Sequence, residues 1–298
     1  LRFHIIIFIT LTTFSQDTRE IKLGIEGLDE RVGSLQMTND QQERESKISW
    51  LSPLDFCAQH QDLFQRREPG TGLRFLEDEK FKTWQAGKNG RLFCPGIPGA
   101  GKTIMAATVV DHLQRASVDC TSSNNVGIIY LYCNYRRKLE QSSLNLLGSL
   151  AQQLAHQRPG ISEELEDLYN RHIDKKSRPG LEEIAELIQT EIGRFDRVFI
   201  ILDALDECIN SHDTLRILAS NLQDICAKTD SNLLVTSRFI PESTIAFQNC
   251  PRLEIRAQVE DVKAYLHAQL GRLPKFVMRN TKLQDTIVTS VANTVDGM

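Results

Sequence analysis

Residues Gly96–Thr103 read GIPGAGKT, the spacing G-x-x-x-x-G-K followed by a hydroxyl residue. The chemistry this spacing serves is the holding of a polyphosphate. Gly96, Gly99 and Gly101 lack a Cβ, so the backbone through Ile97, Pro98 and Ala100 can bend tightly and bring its N–H groups against phosphate oxygens. Lys102 adds a point charge for the β- and γ-phosphates, and Thr103 offers a hydroxyl to Mg²⁺. The loop stands between the apolar run RLFCP and a helical pattern that begins at Thr103, so the unpaired N–H groups of that helix face the same anion. A glycine-rich turn before a buried helix accounts for the glycines alone and leaves the Gly-Lys-Thr unexplained.

A second constellation is VFIILDALDEC, Val198 to Cys208, in which five consecutive apolar residues read as a strand buried on both faces and ending at Asp203. If the chain turns helically there, Asp203, Asp206 and Glu207 stand at i, i+3 and i+4 and crowd one side, raising one another's pKa unless a cation or donors are present. A magnesium nucleotide supplies that cation. Asp203 is then the metal partner, while Glu207 or Asp206 orients or deprotonates an attacking water. An acidic cap on the next helix is the lesser alternative for Asp206 alone and does not account for the trio. A third element, LLVTSR, ends an apolar strand at Arg238, which can reach a γ-phosphate at the carboxyl end of a parallel sheet or stand there as a solvated arginine.

The elements that must position these groups alternate in type. Strand candidates RLFCP, VGIIYLYC, RVFIILD, NLLVTSR and RLEIRA are interleaved with helical patterns at 76–86, 103–115, 143–156, 181–192 and 214–227. The alternation predicts an α/β fold with a mostly parallel sheet covered by helices on both faces. Ile21, Ile25, Leu28, Val32 and Leu35 step by four and three and predict an amphipathic helix, interrupted by Gly24, Gly27 and Gly33. The expected division is residues 1–48 as an apolar stretch and helix, 49–89 as a segment before the core, 90–257 as the core and 258–298 as the start of a helical subdomain.

At 298 residues and 41% hydrophobic the chain can bury a substantial core, and its net charge of -4 gives no dominant basic field, so nucleic acid and anionic membrane are not expected partners. Arg136, Arg137 and Lys138 read as a solvated strand end. The seven cysteines form no metal-site spacing and read as free thiols in a reducing compartment; no HExxH or HxxxH pair supports a zinc hydrolase. The apolar N-terminal stretch to Phe14 is shorter than the roughly 20 residues that span a bilayer and lacks a cleavage pattern, so a cytoplasmic location is expected. The first residue is Leu, which predicts a fragment.

Together WLSPLDF, GTG, LFCPGIPGAGKTIMA, LDALDEC and LLVTSR resemble the NACHT class of signalling NTPases within the STAND group, and more narrowly the fungal proteins with a nephrocystin-type N-terminal NTPase module. The resemblance spans roughly residues 49 to 298. It implies a P-loop NTPase in which ADP holds a closed form, ATP permits an open, self-associating one, and slow hydrolysis resets the switch. It places Gly70, Thr71 and Gly72 near the nucleotide, with Arg74 where relatives often carry tryptophan. It implies ATP or ADP with Mg²⁺ as ligands, GTP being disfavoured by the lack of an Asn-Lys-x-Asp stretch. Relatives continue into a winged helix and ligand-sensing repeats, which with the effector domain are expected outside this chain. Two other functions fit the same cradle: a small-molecule kinase, and a nucleotide-binding scaffold with negligible turnover.

Overall fold

A computed structural model describes residues 36–37, 39–119, 125–208 and 212–295. The apolar N-terminal stretch and the amphipathic helix expected from Ile21 to Leu35 lie outside them. The chain divides into two compact units, Leu1–Ile48 and Ser49–Met298. Of the first, the described residues are helical.

The second unit is built on four parallel strands, β1 (Arg91–Pro95), β2 (Val126–Tyr132), β3 (Arg197–Asp203) and β4 (Asn232–Ser237), in the order β1-β4-β3-β2. Their runs of β-branched and aromatic side chains are almost continuously buried, which is what a parallel sheet covered on both faces requires. Ahead of the sheet lie α1 (Cys57–Gln65), α2 (Leu73–Glu77) and α3 (Glu79–Ala86). The crossovers between strands are α4 (Lys102–Asp119), then α5 (Ser143–His156), α6 (Glu163–Ile173) and α7 (Leu181–Ile192), then α8 (His212–Thr229). Helix α4 packs on β2, β3 and β4, and α5 on β2.

Each element has a local cause. Helix α5 starts where the Ser142 side chain accepts the Asn145 N–H at 3.2 Å, and buries Leu146, Leu147, Leu150 and Leu154. The same helix closes the exposed edge of β2. The Gln153 amide accepts from Tyr130 N–H at 3.0 Å and donates to its carbonyl at 2.8 Å; Gln157 does the same for Ile128, at 3.0 and 2.8 Å. Two side-chain amides thus take the place of a fifth strand on that edge.

Three expectations need correction. The helix expected at 76–86 is broken at Asp78, whose extended backbone ends α2 and whose carboxylate caps α3 by accepting the Lys80 N–H at 2.8 Å. The strand expected at RLEIRA is a single parallel bridge, Arg252 to Phe93, supported by backbone bonds of 2.9 to 3.0 Å at Phe93 and 2.8 Å from Ile255 N–H to the Pro95 carbonyl. Its polar residues do not form a longer ladder on the outer edge of β1. Free thiols were expected throughout, yet Cys133 and Cys208 are joined in a disulfide across 75 positions; Cys57, Cys94, Cys226 and Cys250 are free. Beyond the sheet follow α9 (Pro241–Ala246), α10 (Val259–Gln269), α11 (Lys275–Met278) and α12 (Thr281–Val295). Among the described residues no helix is long and apolar enough to cross a membrane.

Candidate functional site

The loop from Gly96 to Gly101 joins β1 to α4 at the carboxyl end of the sheet, where β3 and β4 also end. Gly99 and Gly101 have φ of +81° and +88°, a left-handed conformation that disfavours side chains, and nothing lies within 4 Å of where their Cβ atoms would stand. Gly96 is glycine for a different reason: a Cβ there would stand 2.5 Å from the Ile255 carbonyl oxygen. Its N–H donates to the Ser237 carbonyl at 3.0 Å, so the loop is seated against β4 as well.

Lys102 is the first residue of α4, and its Nζ donates to the carbonyls of Gly96 and Ile97, each at 2.9 Å. The ammonium thus curls over the loop. Burial lowers its pKa from the ordinary lysine value, against the opposing pull of Asp206 and Asp203. Thr103, on the next position of the helix, hydrogen-bonds to Asp203 at the end of β3, and Asp203 also accepts from the Thr236 hydroxyl of β4 at 2.6 Å. Asp203 is 1% exposed, and burial pushes its carboxyl up to about 6 despite both hydroxyls.

The three carboxylates do not crowd one side of a helix. Ala204 takes φ +55°, and Leu205–Cys208 form a 3₁₀ turn, so the chain leaves β3 in a different direction from the one an α-turn would give. Each acid has its own donors. Asp203 is held by hydroxyls, Asp206 by Arg238, and Glu207 by the Tyr135 N–H, which meets Oε2 at 3.2 Å. Among the described residues no three His, Cys, Asp or Glu side chains form a cluster able to hold a metal. A cation here would need oxygen ligands from something besides the protein.

Gly99, Gly101, Lys102 and Thr103 line one side of a cavity of about 340 Å³, and Ala204, Asp206, Glu207 and Arg238 line the other. The sequence-predicted groups of the loop, the β3 exit and the β4 end are therefore brought together. Thr71 lies apart from that group, bonded to the Glu68 carbonyl at 2.7 Å, and lines a second cavity of about 280 Å³ that shares Gly99 and Gly101 with the first. This second cavity is spanned by Gly72 N–H, which donates to Asp261 of α10 at 3.0 Å, and is walled further by Met105, Arg256 and Tyr265. A cavity of about 720 Å³ beside Trp84, Gly90 and Cys250 shares no residue with the loop and lies at the opposite end of β1.

Sequence reasoning missed Thr236, Tyr135, Asp261 and the Cys133–Cys208 link. Thr236 carries a signal, since it stands two residues before Arg238 on the same strand. Tyr135 acts through its backbone, which no residue type announces.

Residues 70–238 match the model of the family described as nephrocystin 3, N-terminal. The chain is 25% identical over 203 residues to the vegetative incompatibility protein HET-E-1 of Podospora anserina, covering 66% of this chain and 14% of that protein's length. The solved structures it resembles include Drosophila ORC bound to DNA, with 17% identity, 71% of this chain, 50% of that chain and a TM-score of 0.43. They also include the Aeropyrum pernix ORC1 protein in complex with DNA, with 15% identity, 67% of this chain, 48% of that chain and the same TM-score. The partner expectation that excluded nucleic acid is corrected by these neighbours. Both are DNA-bound proteins, and a net charge summed over a whole chain does not report the local field of one surface. The likeness is one of fold and assigns no DNA to this chain.

Proposed function

The chain belongs to the nephrocystin 3 N-terminal family, a nephrocystin-type P-loop NTPase module, and from that premise we propose that it binds ATP or ADP with Mg²⁺ and hydrolyses ATP slowly as a molecular switch. One observation carries the reading: Thr103, beside Lys102 at the head of α4, hydrogen-bonds to Asp203 at the end of β3. A hydroxyl and a buried carboxylate in contact are the hard oxygen donors that Mg²⁺ takes, few enough to leave its other positions to phosphate and water. The Cβ-free cradle at Gly99 and Gly101 suits the phosphates. Bound there, the metal would neutralise charge developing on the transferred phosphoryl group.

The protein's own groups divide the remaining work. Backbone N–H groups of the loop and the start of α4 orient the phosphates, and Lys102 exchanges its two loop carbonyls for phosphate oxygens. Glu207, on the cavity wall, orients the attacking water and takes its proton. Arg238 meets the γ-phosphate, and Asp206 fixes the direction from which it does so. The Tyr135 N–H, which Glu207 Oε2 accepts at 3.2 Å, fixes the direction of that carboxylate. Thr71 and the second cavity accommodate the rest of the nucleotide. The role proposed for that switch is signalling in non-self recognition in the cytoplasm; similarity to a vegetative incompatibility protein, of whose length this chain spans 14%, supports the recognition part.

The decisive test is binding of Mg-ATP and Mg-ADP by wild type and Lys102→Ala. The variant is expected to lose at least about tenfold in affinity, the loss of one charge-assisted contact. Equal affinity in the two proteins would end the proposal. Phosphate released without an added acceptor separates hydrolysis from a kinase reaction.

A further inference from the structure

Cys133 is the first residue beyond β2, and Cys208 is the last residue of the 3₁₀ turn that carries Asp206 and Glu207. The disulfide between them brings their Cα atoms to 5.4 Å. Two hydrogen bonds tie the same pair of segments: Cys133 N–H to the Asp203 carbonyl at 3.1 Å, and Tyr135 N–H to Glu207 Oε2 at 3.2 Å. Within the turn itself, Glu207 N–H donates to the Ala204 carbonyl at 2.8 Å, and Ala204 holds the left-handed conformation that lets the turn depart from β3. A turn this short has no α-helical ladder, so its far end is set by what it is fastened to. The fastening is a covalent bond at the residue next to Glu207, which stands on the wall of the cavity beside the glycine loop.

Among the described residues, the other cysteines offer no comparable arrangement. Cys94 and Cys226 are buried, and burial pushes both thiols up from their ordinary value, which leaves them unreactive. Cys57 and Cys250 are free and belong neither to the loop nor to the turn.

We propose that the Cys133–Cys208 disulfide is a redox-reversible clasp on the nucleotide site. Intact, it holds Glu207 at the cavity wall and supports turnover; opened by a dithiol reductant, it releases the 205–208 turn and turnover falls. The inference rests on the hydrolytic reading given above. In the opening step, a thiolate of the dithiol attacks one cystine sulfur, the protein S–S bond breaks, and the departing cysteine thiolate takes up a proton. The second thiol of the reductant, as thiolate, then attacks its own mixed disulfide. The reductant leaves as a cyclic disulfide, and the second cysteine leaves as thiolate and is protonated. Two electrons pass from the dithiol to the protein; when the clasp re-forms, an organic disulfide accepts two electrons from the cysteine pair and leaves as two thiols. With both sulfurs almost fully buried, the exchange is gated by opening of the turn rather than by simple collision.

The test uses the full chain, oxidised with glutathione disulfide or reduced with dithiothreitol, the thiol state being read from alkylation and intact mass. Amide hydrogen exchange over residues 203–208 and phosphate release from Mg-ATP are measured in each state. Reduction is expected to speed exchange of the turn amides about tenfold or more and to slow phosphate release by about three- to tenfold, the cost of a loosened catalytic group. Cys133→Ser/Cys208→Ser should match reduced wild type in both buffers; Cys133→Ala alone serves if the double variant does not fold. Turn exchange that is the same in both thiol states, or a double variant that still responds to dithiothreitol, would overturn the clasp, as would faster release on reduction. If no state releases phosphate, the hydrolytic reading fails while the exchange measurement still decides whether the clasp exists.

Discussion

Asp206 holds Arg238 twice: its Oδ1 accepts the Arg238 backbone N–H at 2.8 Å, and its Oδ2 accepts from the guanidinium Nε. The carboxylate is buried and the guanidinium half-exposed, so a residue of the 3₁₀ turn fixes the first residue beyond β4 in both backbone and side chain. The pair raises the arginine pKa, chiefly through the side-chain hydrogen bond.

Arg238→Ala is expected to bind ADP as wild type does but to lose its preference for ATP, because only the γ-phosphate is within the arginine's proposed reach. Leaving Asp206 without its charged partner should cost about 1–2 kcal/mol of stability, less than for a fully buried pair since one partner is solvated. Isothermal titration with both nucleotides and a thermal melt check the two parts. An unchanged ATP-to-ADP ratio would remove Arg238 from the site.

Asp203 gives the pH prediction. Its folded pKa, about 6, lies above the ordinary value of 3.8 because of burial. The folded state therefore holds the proton more tightly than the unfolded chain. The stability linked to that proton is fully present below about pH 4 and is lost as pH rises through 6. Asp203→Asn cannot ionise and should melt higher than wild type at pH 7.5 without nucleotide, by up to about 3 kcal/mol, with the advantage vanishing near pH 4. The same variant should lose the Mg²⁺ dependence of nucleotide binding. Equal pH profiles for the two melts would refute the buried-charge account.

Gly96→Ala tests the seat of the loop. With a Cβ 2.5 Å from a backbone oxygen, the chain at Ile255 or the loop must shift. A loss of about 1–3 kcal/mol is expected together with weaker nucleotide binding. Gly70→Ala, where nothing lies within 4 Å but φ is +84°, is the control: it carries backbone strain of about 1–2 kcal/mol without displacing the loop. If both variants bind nucleotide as wild type does, the contact with Ile255 has no bearing on the loop.

Gln153→Leu and Gln157→Leu each remove an amide from the edge of β2, leaving one backbone donor and one acceptor without partners. Each should cost about 1–3 kcal/mol, and the double variant should aggregate as the strand edge becomes available. Chemical denaturation and light scattering measure these effects.

Much of the central sheet was legible because β2 and β3 carry apolar runs of the length a buried parallel strand needs, with shorter runs in β1 and β4, and α5 and α7 show their periodicity openly. The glycine loop was legible for the same reason that it works: few other residue types satisfy its backbone. What escaped was what depends on partners distant in sequence. The bridge at Arg252 is set by the edge of β1 rather than by its own alternation, and the direction of the chain after Asp203 follows from Ala204 entering the left-handed region, which alanine does not advertise. The disulfide joins cysteines 75 positions apart, and no spacing rule reaches that far. The role of Gln153 and of Gln157, the C-cap of α5, as a surrogate strand was hidden because a glutamine on a helix carries no sign of the strand edge it will face.

The Ile255 carbonyl beneath Gly96 gives the fold a mechanical property. Only three residues separate it from the start of α10, so traction or torsion applied to the helices beyond is delivered through a short tether to the base of the glycine loop. The reverse path is equally direct: a ligand that stiffened the bend would brace the tether, and the C-terminal helices would inherit that rigidity.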